Sequence, residues 1–194
     1  MPVTDPTTES DGRPVAPGPL AIVQAFVNTR DLRTGADALS APERMARWLS
    51  REGLLGDDEP AAVADLGRAV ELREALRALL AANNGQPTEP AALAAVNRAL
   101  HAGDPRLRFL PGGELELGAM AAGVPGALGH LLAIAFAAMT DGTWERLKAC
   151  RETGCQRAFY DRSRNRSGTW CAMSACGSRA KMRAYYHRRH PGGG

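Results

Sequence analysis

After a polar opening segment, hydrophobic positions recur at helical spacing through most of the chain. Residues 1–18, MPVTDPTTESDGRPVAPG, carry too little apolar surface to offset the entropy of ordering and are expected to form a disordered arm. From Leu20 the pattern changes: Ile22 to Val27 is β-branched and aromatic, which predicts a buried strand, followed by a polar loop from Thr29 to Ala38. Ser40-Ala-Pro-Glu43 has the form of a capping box ahead of a short helix, with Met45, Trp48 and Leu49 as its apolar stripe and a stop near Gly53.

A second helix is expected to begin after Asp58, with Pro60 in its first turn, and to run to about Ala82. Val63, Leu66, Ala69, Val70, Leu76, Leu79 and Leu80 fall largely on one face, Arg73 is a polar intruder, and Asn83-Asn84-Gly85 ends it. Thr88 can cap a third helix, Pro90 to Ala102. Alternating segments Arg106 to Leu110 and Glu114 to Leu117 flank Pro111-Gly112-Gly113 and predict a β-hairpin. A buried helix from Pro125 to Met139 closes the first domain at Asp141-Gly142. The uncharged stretch Leu117 to Thr140 is long enough to cross a bilayer, but its glycines, Pro125 and His130 favour a buried core helix.

Composition narrows the class. The 194 residues are 44% hydrophobic and 23% charged, which excludes collagen-like, fully disordered and disulfide-dense chains; 5% aromatic content points to an α-rich core of small side chains. The overall charge of +3 conceals an asymmetry: residues 1–141 hold 12 basic and 18 acidic side chains, net −6, whereas residues 142–194 hold 12 and 3, net +9. Such a concentration of positive charge is expected of a polyanion binder, with nucleic acid ahead of an anionic membrane. The polar, proline-rich start lacks the form of a signal peptide, so a cytoplasmic protein is expected.

The chemistry-bearing residues lie in the basic part. Cys150 and Cys155 are separated by four residues, Cys171 and Cys176 by four more, and 15 residues lie between the pairs. In a chain expected to remain in a reducing compartment, this arrangement favours one structural zinc ion over disulfides or redox thiols, and a site closed by four thiolates has no open position for catalysis. Phe159-Tyr160 and Trp170 are expected to pack beneath the metal, with base stacking as the other reading. Arg162, Arg164 and Arg166 lie in the loop between the pairs. Arg179, Lys181, Arg183, Arg188 and Arg189 fall on a helix starting near Cys176; phosphate contact by loop and helix is weighed against a solvated or internally salt-bridged surface.

The stretch Trp144 to Arg189 resembles the CGNR zinc finger. The resemblance rests on both cysteine pairs, Phe159, Asp161, Ser163-Arg164-Asn165, Trp170-Cys171, Met173, Cys176-Gly177, Arg179, Lys181 and Arg188-Arg189. Ala25-Phe-Val-Asn-Thr29 and Trp48-Leu49 resemble the ABATE domain that precedes this finger in bacterial proteins. One departure is Ser178, where the naming motif has Asn, a residue able to cap a helix or touch a base. The resemblance implies a stress-related transcriptional regulator.

The expected architecture is therefore a mainly α domain with minor β structure (α+β) at 19–141, a treble-clef-like four-cysteine finger at 142–190, and a flexible tail at 191–194. The expected function is zinc-dependent DNA binding, the first domain sensing a small-molecule effector or forming a homodimer; RNA is a further candidate partner. The competing reading is an enzyme or small-molecule binding protein with a pocket in the first domain and a purely structural finger. No His-Glu-x-x-His, phosphate loop or clustered nucleophile supports catalysis, the four histidines are scattered, and Asn28 and Arg30 either face a pocket or are a loop-ordering asparagine and a surface arginine.

Overall fold

The structure, a computed structural model, describes residues 13–189. Residues 1–12 of the expected arm, His190, and 191–194 of the expected tail lie outside this range. The described residues form six α-helices, α1 (Leu20–Asn28), α2 (Pro42–Arg51), α3 (Val63–Ala82), α4 (Pro90–Ala102), α5 (Gly123–Thr140) and α6 (Ser178–Arg189), and two antiparallel strand pairs. β1 (Pro105–Phe109) pairs with β2 (Leu115–Ala119), and β3 (Leu147–Ala149) pairs with β4 (Ala158–Tyr160).

The segment expected as the first strand is α1. Its buried side chains Leu20, Val23, Gln24 and Val27 follow helical spacing, and that pattern prevails over the β-propensity of Ile22, Val23 and Val27. Gln24 also holds the last described part of the arm: its Oε1 accepts from the Ala16 amide at 2.7 Å and its Nε2 donates to the Pro14 carbonyl at 3.0 Å.

Three helix starts depart from the sequence reading. Ser40 forms no cap, because α2 begins with Ala41 at the N-cap and Pro42 in the first turn, leaving the hydroxyl one residue too early. α3 begins at Val63 instead of near Asp58, with the Asp65 carboxylate accepting from the Ala62 amide at 2.9 Å. Glu89, and not Thr88, is the N-cap of α4. The β1–β2 hairpin and the core helix α5 form where expected.

α5 is long and apolar enough to cross a membrane by length and composition, yet half of it is buried within the protein. Leu128, Leu131 and Ala135 pack with Val23 and Phe26 of α1 and Leu72, Leu76 and Leu80 of α3 in one core. α4 crosses α5 at two glycines: a Cβ on Gly103 would lie 2.8 Å from the Gly129 Cα, so neither position has room for a side chain.

Arg73 is fully buried, and its partners explain how a cation enters this core. It donates to both Asp37 carboxylate oxygens at 2.7 and 2.9 Å, to Thr29 Oγ1 at 3.2 Å and to Glu74 at 2.9 Å. Burial would raise the Asp37 pKa, but the bond from Arg73 and the amide of Leu39 overcome it and lower the pKa, so the pair stays ionised. This interaction ties the Thr29 to Ala38 loop to α3.

The core continues past Asp141-Gly142. Trp144, Leu147, Ala149, Ala158 and Tyr160 belong to the same apolar cluster as α1, α3 and α5. Arg73→Ala is expected to lower stability by about 3 kcal/mol, because it empties a fully buried site and leaves the half-buried Asp37 carboxylate and the Thr29 hydroxyl without their donor; urea titration of the two proteins checks it.

Candidate metal centre and basic surface

β3 runs into Cys150 and the chain returns from Cys155 into β4, so the first cysteine pair sits on the turn of a short hairpin. The second pair brackets the turn that enters α6, Cys171 before it and Cys176 within it. A cysteine turn followed by a cysteine-bearing helix start brings the two pairs together as a four-cysteine finger.

All four cysteines are buried, and their Sγ atoms lie within 4.8 Å of one another. Cys155 to Cys171 and Cys171 to Cys176 are both 3.7 Å apart. Four Zn–S bonds of roughly 2.3 Å in a tetrahedron give sulfur separations of about 3.8 Å, whereas a disulfide requires about 2.0 Å. The four cysteines are positioned to bind one zinc ion. The donor chemistry agrees: all four are free thiols buried against one another. So many neighbouring sulfurs ionise together only around a cation.

Phe159 and Trp170 pack against the cysteines, as expected. Tyr160 does not. Adjacent residues of β4 point to opposite faces, and Tyr160 faces the main core.

A second polar centre shapes the basic loop. Lys148 and Asp161 are both buried, with Nζ 2.7 Å from Oδ2, and Lys148 also donates to the carbonyls of Arg166 and Gly168. Asp161 accepts from the amides of Ser163 at 3.0 Å and Gly168 at 2.7 Å. Burial would raise its pKa, but Lys148 and these donors overcome it and hold Asp161 at about 2. Gly168 approaches so closely that a Cβ there would lie 2.6 Å from the carboxylate. Sequence reading recognises Asp161 only as part of the resemblance and passes over Lys148 and Gly168; a lone buried lysine leaves no periodic signal.

The expected phosphate-contacting residues divide into two groups. Arg162 donates to the Val15 carbonyl at 3.0 Å and lies over Tyr160, Arg166 pairs with Glu145, and Arg183 pairs with the buried Glu152 at 2.5 Å. Arg179 donates to the Cys176 sulfur at 3.2 Å, and Arg189 lies over the Tyr185 ring at 4.8 Å. Arg164 and Lys181 are exposed and make no ion pair among the described residues. The side chain of Arg188 lies outside the described residues. The Ser178 hydroxyl donates to the Met173 carbonyl at 3.1 Å and closes the turn into α6.

The finger is joined to the first domain by side chains that bond to backbone. Asn28 acts like a short strand, its Nδ2 donating to the Ala158 carbonyl at 3.0 Å and its Oδ1 accepting from the Ala158 amide at 2.8 Å. Both bonds tie the end of α1 to β4, a role neither sequence reading of Asn28 names. Asn83 donates to the carbonyls of Trp144 and Leu147, and Asn84 to those of Ala149 and Thr169, all at 2.8 to 2.9 Å. Arg77, also buried, bonds to the carbonyls of Gln156 and Val27 at 3.0 and 2.7 Å. Sequence reading treats Asn83 and Asn84 as a helix terminator and misses this role.

A helical domain fused to a closed four-cysteine finger defines the class of protein. Comparison with family models agrees: the ABATE model, described as "Putative stress-induced transcription regulator", matches residues 20–142, and the CGNR zinc finger model matches residues 146–189. The chain belongs to the ABATE family and carries a CGNR zinc finger. No curated protein matches the chain.

Zinc binding to finger modules contributes on the order of 10 kcal/mol, comparable to the stability of a whole domain. Chelation of zinc, or Cys155→Ser, is expected to lower the melting temperature of the entire chain, because the strands flanking the first cysteine pair lie in the common core. Calorimetry checks this, and an unchanged transition contradicts it. Lys148→Met is expected to cost about 3 kcal/mol or more by leaving Asp161 buried and unpaired. Gly168→Ala should destabilise in the same direction by displacing that carboxylate; chemical denaturation measures both.

Proposed function

We propose that this protein is a zinc-dependent DNA-binding transcriptional regulator of the cytoplasm, with the finger as its DNA-contacting part. The observation that carries the reading is the net charge of +9 over residues 142–194, placed on a metal-closed module where Arg164 and Lys181 remain exposed and unpaired among the described residues. Family membership supports the regulatory role. Zinc fixes the start of α6, and the Lys148–Asp161 pair fixes the loop bearing Arg164, so neither cation needs to be ordered at the moment of binding.

The engaged arginines have a different part. Arg183 pairs with Glu152 and Arg179 bonds to a zinc ligand, so both brace α6 while staying exposed at its surface; Arg166 and Arg162 tie the loop to Glu145 and the Val15 carbonyl. The first domain receives the signal, through a small effector or a second copy of the chain. Among the described residues, the four cysteines are the sole group of three or more potential metal ligands brought together, which favours a structural role for the metal over catalysis.

Fluorescence anisotropy with duplex DNA across a salt series tests the reading. Arg164→Ala with Lys181→Ala should weaken binding and flatten the log–log salt slope by roughly 0.9 for each phosphate no longer neutralised, with melting temperature unchanged. An unaltered slope would place the interface elsewhere. Preferential binding of single-stranded RNA over duplex DNA would replace DNA by RNA as the partner.

A further inference from the structure

A hollow of about 360 Å³ lies where α3 and the loop before α4 meet the first cysteine turn. Its lining includes the small apolar side chains Ala78, Ala81 and Ala149 and the buried Arg77. The volume is at the lower end for small-molecule sites, enough for a molecule of roughly amino-acid to dipeptide size.

The charged groups around the hollow are unequally engaged. Glu74 is satisfied on both oxygens, by Arg73 and Arg77 at 2.9 Å each, so it has little left to offer a ligand. Glu89 makes no ion pair among the described residues. Arg151 spends only its Nε, on the Asn84 carbonyl at 3.0 Å, and its terminal nitrogens have no hydrogen-bond partner among the described residues. The site therefore offers one unengaged anion and one unengaged cation beside small apolar side chains. Isolated charges of either sign would bind only one of them; a zwitterion answers both.

One wall of the hollow is held in place by the cysteine turn. Gln156, which lines the hollow, directly follows Cys155 and has a φ of +45°, its amide donating to the Glu152 carbonyl at 3.0 Å. Arg77 bonds to its carbonyl at 3.0 Å.

We propose that this interdomain hollow is an effector site for a small zwitterion of the α-amino-acid class, its ammonium facing Glu89 and its carboxylate facing the free end of Arg151. The site also has a route to the basic surface. Arg151 and Thr153 flank Glu152, and the Glu152 carboxylate anchors Arg183 of α6. A ligand drawing on Arg151 acts on the turn that positions α6. This coupling rests on the DNA-binding reading above; occupancy of the hollow does not.

Isothermal titration of the full, zinc-loaded chain with each of the twenty amino acids and with glycylglycine tests the site. At least one is expected to bind saturably below about 10 mM, and its amide-blocked or N-acetylated form to bind at least roughly tenfold more weakly. Glu89→Gln and Arg151→Ala should each weaken it to a similar extent. Glu89→Gln changes an exposed side chain that makes no cap bond, so its readout stands even where Arg151→Ala disturbs the seam. No binding by any of these compounds, or binding indifferent to both substitutions, overturns the assignment. DNA titrations with and without the bound amino acid separate the two claims: a changed DNA affinity supports the coupling, and an unchanged one refutes the coupling while leaving the calorimetric result for the site intact. Absence of DNA binding altogether counts against the proposed function alone.

Discussion

Four buried sulfurs within 4.8 Å of one another impose the constraint on which the C-terminal part of this protein depends. As thiolates they repel; as thiols they are weakly hydrogen-bonded groups filling space that a small module would otherwise give to a hydrophobic core. A dication resolves both problems, and the tetrahedral spacing admits it. What surrounds the cluster follows from that centre. Phe159 and Trp170 shield it, Arg179 bonds to one sulfur, and α6 departs from the last ligand with its basic residues set in place.

The finger does not stand apart from the helical domain. β3 and β4 turn one face to the metal and the other to the core built by α1, α3 and α5, so Phe159 serves the first and Tyr160 the second. Along the seam, Asn28, Asn83 and Asn84 bond to backbone groups of the finger that its short strands leave unpaired. The family matches meet between residues 142 and 146, but the physical core is continuous across that point.

Much of this organisation is legible in the amino-acid sequence. The metal ligands are readable because cysteine spacing is a local, chemically specific signal, and α5 and the β1–β2 hairpin are readable from periodicity and turn residues. α1 reads wrongly because its β-branched residues mimic a buried strand, and only the burial of Leu20, Val23, Gln24 and Val27 on one side decides for helix. Arg73 and Lys148 escape such reading, since what makes each buried cation tolerable is a partner elsewhere in the chain, Asp37 for the first and Asp161 for the second; Arg77 has Glu74 one turn earlier on α3, and only its bonds to the Val27 and Gln156 carbonyls are distant in sequence. For the same reason the basic residues look equivalent in sequence, while the structure divides them into those with a partner in the protein and Arg164 and Lys181, which make no ion pair among the described residues.

Native mass spectrometry combined with thiol labelling bears most directly on the central claim that one zinc ion organises the finger. The account predicts a mass of one zinc per chain, four cysteines protected from alkylation while the metal is bound, and all four becoming reactive together when it is removed. A metal-free chain with two disulfides, or with cysteines that label independently of zinc, would contradict it.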